Sequence, residues 1–150
     1  MNKNTAEELN READAVTVPA FGYELIREIL LPEILGSDAP EILYWVGKQL
    51  ARKFPLQDLT ELVKFFDQAG WGELKVRNEK KNELELELSS ELITHRLQSK
   101  GNWHFQLEAG FLAQQMEIQK EVISEAFEHP KKRGGKVLFT VKWDKKDPID

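Results

Sequence analysis

Residues 70–88 read GWGELKVRNEKKNELELEL, and this stretch decides the architecture. Upstream of it, apolar residues recur at helical spacing. Within it they alternate at every second position: Leu74 and Val76 against Lys75 and Arg77, then Leu84, Leu86 and Leu88 against Glu83, Glu85 and Glu87. A change of period from helical to two marks the passage to strands with one buried face. The polar residues 78–82 between the two runs predict a turn, hence a β-hairpin. Lys75 and Arg77 are then placed to face Glu85 and Glu87 across the ladder, favouring the pairing by roughly a few tenths of a kcal/mol. The leucines set the register more firmly, because a one-residue slip turns all of them to solvent.

Toward the N-terminus, Leu25, Ile26, Ile29 and Leu30 recur at helical spacing from Phe21 onward, with Glu24, Arg27 and Glu28 on the opposite side. The spacing predicts a helix that buries its aliphatic side and ends or kinks at Pro32, which lacks a donor. Asp38 is placed to cap a second helix, with Glu41 three residues on completing a capping-box-like pattern. Ile42, Leu43, Val46, Leu50, Ala51 and Phe54 mark its buried stripe. Gly47 lies in that stripe, where a missing side chain permits close helix approach and costs about 1 kcal/mol of helix propensity. Leu59, Leu62, Val63, Phe66 and Ala69 form a third amphipathic stretch that Gly70 stops.

Beyond the hairpin, residues 89–102 read as a short extension and loop. Phe105, Ala109, Leu112, Ala113 and Met116 predict a fourth helix, with Gly110 set for close packing. Residues 122–127 read as a strand, 129–135 as a turn, and the alternating Val137, Phe139, Val141 and Trp143 as the final strand. The order implies an α+β fold: N-terminal helices plus a later helix packed on one face of an antiparallel sheet of two hairpins. Residues 1–17 are expected to form a flexible polar leader, and residues 18–150 one domain.

The 150 residues carry 21 Lys+Arg and 26 Asp+Glu, a formal charge of −5. That balance argues against nucleic acid as a partner, since phosphate neutralisation needs a concentrated basic surface. Lys131, Lys132, Arg133 and Lys136 do cluster in one turn, which reads as a solvated basic turn. With no cysteine, disulfides, thiol nucleophiles and thiolate metal sites are excluded. No apolar run approaches the roughly 20 residues of a membrane helix, so membrane insertion is not expected and a cytoplasmic protein is.

Candidate chemistry is sparse. His95, His104 and His129 show no metal-ligand spacing, and neither a metal nor a cofactor is implied. Ser99 near His104 lacks a nucleophile-elbow context. Gly70-Trp71-Gly72 follows a helix, so it reads as a helix stop and a tight hairpin entry with Trp71 as a packed anchor. Gly135-Lys136 lacks the upstream glycine of a phosphate loop. Glu83, Glu85 and Glu87 sit on the polar side of a strand and are expected to be solvated, without the pKa separation that acid–base catalysis needs. No catalytic residue is assigned, and an enzyme is not expected.

Four segments carry a family resemblance: Phe21-Gly22-Tyr23-Glu24-Leu25-Ile26-Arg27, Leu43-Tyr44-Trp45-Val46-Gly47-Lys48-Gln49-Leu50-Ala51, Gly70-Trp71-Gly72, and Leu107-Glu108-Ala109-Gly110-Phe111-Leu112-Ala113-Gln114-Gln115. From about Val18 onward the chain resembles the YslB-like family of small uncharacterised Firmicutes proteins. More distantly it is similar to the 4-vinyl reductase-type domain, to TRAPP vesicle-tethering subunits and to haem nitric-oxide sensors. That resemblance implies helices over a twisted sheet, an apolar channel between them, and dimerisation through N-terminal helices. The cysteines that serve ligand binding or acylation in such relatives are absent here, and no histidine falls in a predicted helix to hold haem.

Two functional readings follow. The first is a non-enzymatic binding or regulatory module for a small hydrophobic ligand held between helices and sheet, with Tyr44, Trp45, Trp71, Arg96 and Trp103 as pocket or interface candidates. The second is a structural or interaction scaffold acting as a homodimer, for which Leu31, Ile34, Leu35, Tyr44 and Trp45 offer surplus apolar surface.

Overall fold

The structure, a computed structural model, describes residues 16–148, with side chains through residue 144. The expected leader lies outside the described residues except for Val16 and Thr17. Helix α1 runs as α-helix over Ala20–Glu24, π-helix over Leu25–Leu30 and α-helix again over Leu31–Leu35. A 3-10 turn, Gly36–Asp38, leads into α2 (Ala39–Lys53), followed by α3 (Leu59–Gln68). Strands β1 (Glu73–Lys80) and β2 (Glu83–Ser89), helices α4 (Glu91–Gln98) and α5 (Gln106–Lys120), and strands β3 (Val122–Lys131) and β4 (Lys136–Pro148) complete the order. The sheet is antiparallel, in the order β1-β2-β4-β3.

The hairpin follows its alternating code. Leu74 pairs with Leu88 and Lys75 with Glu87, and Leu84, Leu86 and Leu88 are buried. The register shifts between Val76 and Asn78, so Arg77 occupies a bulge instead of facing Glu85 directly. On β4, Val137, Phe139, Val141 and Trp143 continue the same buried face. Helix α5 lies against that face, and every residue from Glu108 to Met116 is buried.

The crossing of α2 over α5 is the tightest contact. A Cβ at Gly110 would collide with the Tyr44 carbonyl, and one at Gly47 would collide with the Leu107 carbonyl and stand 2.8 Å from the Phe111 amide nitrogen. Behind the crossing, Phe65 stacks on Phe111 at 4.6 Å between ring centroids, and Trp71 meets Phe66 edge-on at 5.0 Å. These rings join α3, α5 and the hairpin entry in one aromatic core. Gly70, at φ +74°, ends α3 as anticipated, and Gly72 packs its bare Cα against the Ser89 carbonyl.

The structure corrects five local readings. Pro32 does not end α1. The widened π turn carries the Leu31 amide to the Ile26 carbonyl, and Pro32 falls in the first turn of the following segment, where its missing donor is tolerated. The burial of α1 is inverted: Arg27 is buried, while Ile26, Ile29, Leu30 and Ile34 are exposed. Residues 91–98 form helix α4 instead of a loop, capped by the Ser90 hydroxyl, which accepts from the Ile93 amide at 3.1 Å. His95 therefore stands on a helix, on its exposed side. Strand β3 continues through His129 and Pro130, because an edge strand needs no outward donor there. Asp38 occupies the N-cap of α2 without a capping hydrogen bond; the box-like cap belongs to Asp58, which accepts from the Glu61 amide at 2.9 Å while Glu61 accepts from Gln57 N–H at 2.7 Å.

These contacts separate two glycine substitutions. Gly47→Leu should destabilise the protein by about 3 kcal/mol or more in urea titrations, since backbone on α5 cannot retreat. Gly22→Ala, at a helical position with nothing within 4 Å, should be neutral or stabilising by up to about 1 kcal/mol.

Candidate functional site

Helix α1 presents opposite chemistries on its two sides. Outward stand Phe21 (70% exposed), Ile26, Ile29, Leu30 and Ile34 (75% exposed). Inward stand Tyr23, Glu24, Arg27 and Glu28, none of them more than partly exposed. The inversion has a local cause. The surfaces beneath α1, at the start of α5 and on α4, carry a fully buried Glu108 and a buried Arg96.

The charges interlock across these elements. Arg27 donates from Nη2 to Glu108 Oε1 at 2.6 Å, from Nη1 to the Tyr23 hydroxyl at 3.1 Å and from Nε to Glu28 Oε1 at 3.2 Å. Arg96 donates to the two carboxylate oxygens of Glu24 at 2.9 and 2.5 Å and lies 3.3 Å from Glu28. Its guanidinium also rests 5.8 Å from the Phe105 ring centroid. Burial opposes the charge on Arg27, but attraction to Glu108 and Tyr23 outweighs it and leaves the guanidinium held more firmly than usual. Burial raises the Glu28 carboxyl above its ordinary value despite both arginines.

The layer continues toward the start of α5. Glu128 on β3 accepts from the Phe105 amide at 2.8 Å and from the Gln106 side-chain amide. Burial nevertheless raises its pKa. The His104 imidazole is shifted the other way, lowered by burial in spite of the nearby Glu128.

The five sequence-derived candidates do not converge. Arg96 belongs to the charged layer, whereas Trp71 is a core ring. Trp103 packs against the core edge and donates its indole N–H to the Ser99 carbonyl at 3.1 Å. Tyr44 reaches β3, where its hydroxyl donates to Glu125 and accepts from the Ala126 amide at 3.1 Å. Burial and then the Glu125 bond raise the pKa of this phenol. Trp45, the next residue on α2, turns away from that contact and is 60% exposed. Arg27, Glu28 and Glu108 were missed because charged residues in an amphipathic pattern are read as the wet side. The available signal was the matching charge on α4, at Arg96.

Tyr44 also covers part of the β3 edge of the sheet. Glu117 accepts from the Ser124 amide at 3.1 Å, the Tyr44 hydroxyl takes the Ala126 amide, and Pro130 has no amide hydrogen to offer. Two outward amides of β3 are thus occupied and Pro130 lacks one, which disfavours strand addition at this edge. On the open face, the glutamate row is matched by lysines, including Lys80 with Glu83 and Glu85 at 3.5 and 3.4 Å. Glu87 departs from the expectation of full solvation. It is buried beneath Lys136 at 2.8 Å and Arg77 at 3.7 Å, and the Lys136 hydrogen bond lowers its pKa. Lys136 thereby has a structural role within the basic turn.

Among the described residues, no group of three acidic or imidazole side chains is placed to hold a metal ion, and no helix is long and apolar enough to cross a membrane.

The fold defines an α+β protein whose helices cover one face of a four-stranded antiparallel sheet. Among solved structures, a vinyl-4-reductase family protein from Methanocaldococcus jannaschii is similar with a TM-score of 0.67 and 21% identity, covering 92% of this chain and 88% of that one. The chain belongs to the family described as proteins of unknown function, DUF2507, whose model matches residues 20–142. It is 50% identical over 134 residues to the uncharacterised protein YslB of Bacillus subtilis (strain 168), covering 89% of this chain and 90% of that one. A trafficking protein particle complex subunit 3 from Naegleria fowleri, covalently bound to palmitic acid, is similar with a TM-score of 0.46 and 11% identity over 99% of this chain and all of that one.

The opposed shifts in the polar layer have opposite consequences for stability. The unfolded chain protonates His104 at a higher pH than the folded chain does, so acidification through the histidine range costs stability. Glu28 and Glu128 take up protons first in the folded state, so they favour folding as pH falls toward their raised values. Between about pH 7.5 and about pH 5.5, the melting temperature of His104→Gln should fall less than that of the wild type. An equal fall in both would show that His104 carries none of the dependence.

Proposed function

We propose that this chain is a non-enzymatic cytoplasmic interaction module that pairs with a second copy of itself through the outer side of α1. The observation that carries this reading is the inverted helix. Phe21, Ile26, Ile29, Leu30 and Ile34 together leave on the order of 600 Å² open, against about 800 Å² per partner in a standard interface. Trp45 on α2 offers further exposed apolar area. A patch of this size lies at the top of the range that monomers expose.

The chemistry of the stripe favours a like partner. Its aliphatic side chains can be buried against an identical stripe by a two-fold axis without enclosing an unpaired charge. A lipid surface is a poorer match, because Arg27 is the one cationic residue of α1 and it points into the protein.

A small hydrophobic ligand remains a second reading, supported by the fold likeness to the vinyl-4-reductase family. A partly enclosed pocket at the end of the sheet, where Leu59, Leu84, Met116 and Trp143 meet the polar residues Glu79, Lys80, Gln119 and Lys120, amounts to about 40 Å³, room for little more than water.

Sedimentation at tens of micromolar tests the first reading, with Ile29→Glu/Ile34→Glu as the comparison. The wild type should sediment as a dimer and the double variant as a monomer with a melting temperature within a few degrees of it. A monomeric wild type, or flotation of the wild type with neutral vesicles in place of pairing, would overturn it. Native mass spectrometry of the same samples reads any retained ligand as excess mass, which is the outcome that favours the second reading.

A further inference from the structure

Helix α1 is attached in an unusual way. Of its residues, Arg27 alone is buried, so no aliphatic side chain anchors it fully. Apart from Tyr23, which packs on the edge of the core, its buried contacts are the two guanidinium systems, and they run in opposite directions. Arg27 reaches from α1 to Glu108 on α5, and Arg96 reaches from α4 to Glu24 and Glu28 on α1. Glu28 lies between the two arginines, at 3.2 and 3.3 Å.

Ion pairs differ from apolar contacts in being directional. An aliphatic stripe packs acceptably over a range of rotations about the helix axis, whereas a guanidinium must meet its carboxylate within hydrogen-bond geometry. Two such pairs, spaced along α1 and anchored on different elements, set both its position and its rotation. The tether at its end is short and adaptable, since Gly36 adopts φ +72° and leads straight into the 3-10 turn.

On the reading that α1 carries the self-association surface, we propose that it is a separately docked arm, and that the Arg27–Glu108 and Arg96–Glu24 pairs form a latch that holds its apolar stripe outward. Arg27 and Arg96 are then positioning residues for pairing, although neither lies in the exposed stripe. Releasing the latch frees α1 while the crossing of α2 and α5, the aromatic core and the sheet stay closed. Removal of one partner is the effective perturbation, because it leaves a buried arginine with Glu28 as its one remaining carboxylate.

Hydrogen exchange of the full chain tests the proposal, read by peptide in the wild type, Glu108→Gln and Glu24→Gln. Glu24 is partly exposed, so the second variant perturbs the latch from the α1 side and spares the buried end of α5. Amides of residues 20–35 should exchange on the order of ten-fold faster or more in both variants, while α2, α5 and the sheet keep their protection. The dissociation constant of the dimer should rise in parallel. Uniform acceleration across the chain, or unchanged exchange over residues 20–35, would overturn the latch. A monomeric wild type whose residues 20–35 alone loosen in the variants would remove the self-association reading and leave the latch standing. A dimeric wild type whose variants keep both pairing and α1 protection would do the reverse.

Discussion

The absence of two Cβ atoms, at Gly47 and Gly110, lets the backbones of α2 and α5 touch, and the rest of the structure hangs on that contact. Because α2 lies so close, α5 is enclosed between it and the sheet, and even Glu108, Gln114 and Gln115 on α5 are buried. Enclosed polar groups must be partnered at once. Gln115 exchanges hydrogen bonds with the Leu56 amide and the Phe54 carbonyl, tying down the segment that leads to α3. Glu108 takes Arg27, and through it α1 acquires its orientation. The same approach brings Tyr44 to the edge of β3, where it occupies a backbone donor that a foreign strand would otherwise use.

Helix α1 shows how a buried charge can outrank hydrophobicity in placing a helix. Burying its aliphatic stripe would gain about 1.5–3 kcal/mol per side chain. Turning that stripe inward would leave Glu108 enclosed without its guanidinium and Arg96 without its two carboxylates, a penalty of several kcal/mol for each charge. Summed over the stripe and over the charges the two terms are of the same order, so the enclosed charges are enough to offset the apolar gain; the helix docks with its charged side inward, and the aliphatic side is left for another surface. Fold and function meet at this point: the demand of buried charges creates the apolar patch on which the proposed pairing rests.

The legible parts of the sequence were those in which one rule operated without competition. Leu84, Leu86 and Leu88 alternate strictly with glutamates, and β2 buries all three leucines, with Glu87 alone of the glutamates joining them. Leu62 and Phe66, the stop at Gly70 and the packing of Trp71 followed from helical period and glycine chemistry. The candidate site was far less legible. Arg96 was singled out, but α4 itself was missed, since its inward residues Ile93, Arg96 and Leu97 include a charge that breaks the apolar period. Pro32 was read as an end or kink and Pro130 as part of a turn; a π turn accommodated one and an edge position the other.

By itself the sequence determined the α+β class, the hairpins, the helix carrying Gly110 and the close approach at Gly47, because local periodicity and the geometry of glycine are properties of neighbouring residues. Which side of α1 faces inward, which charges are enclosed and where Tyr44 ends were decided by tertiary structure alone. Glu108 is 81 residues from Arg27, and Arg96 is 72 from Glu24. An ion pair at such a separation leaves no periodic trace in the chain. Its weight comes from removal from water, and water is excluded only once the helices and sheet have closed around it.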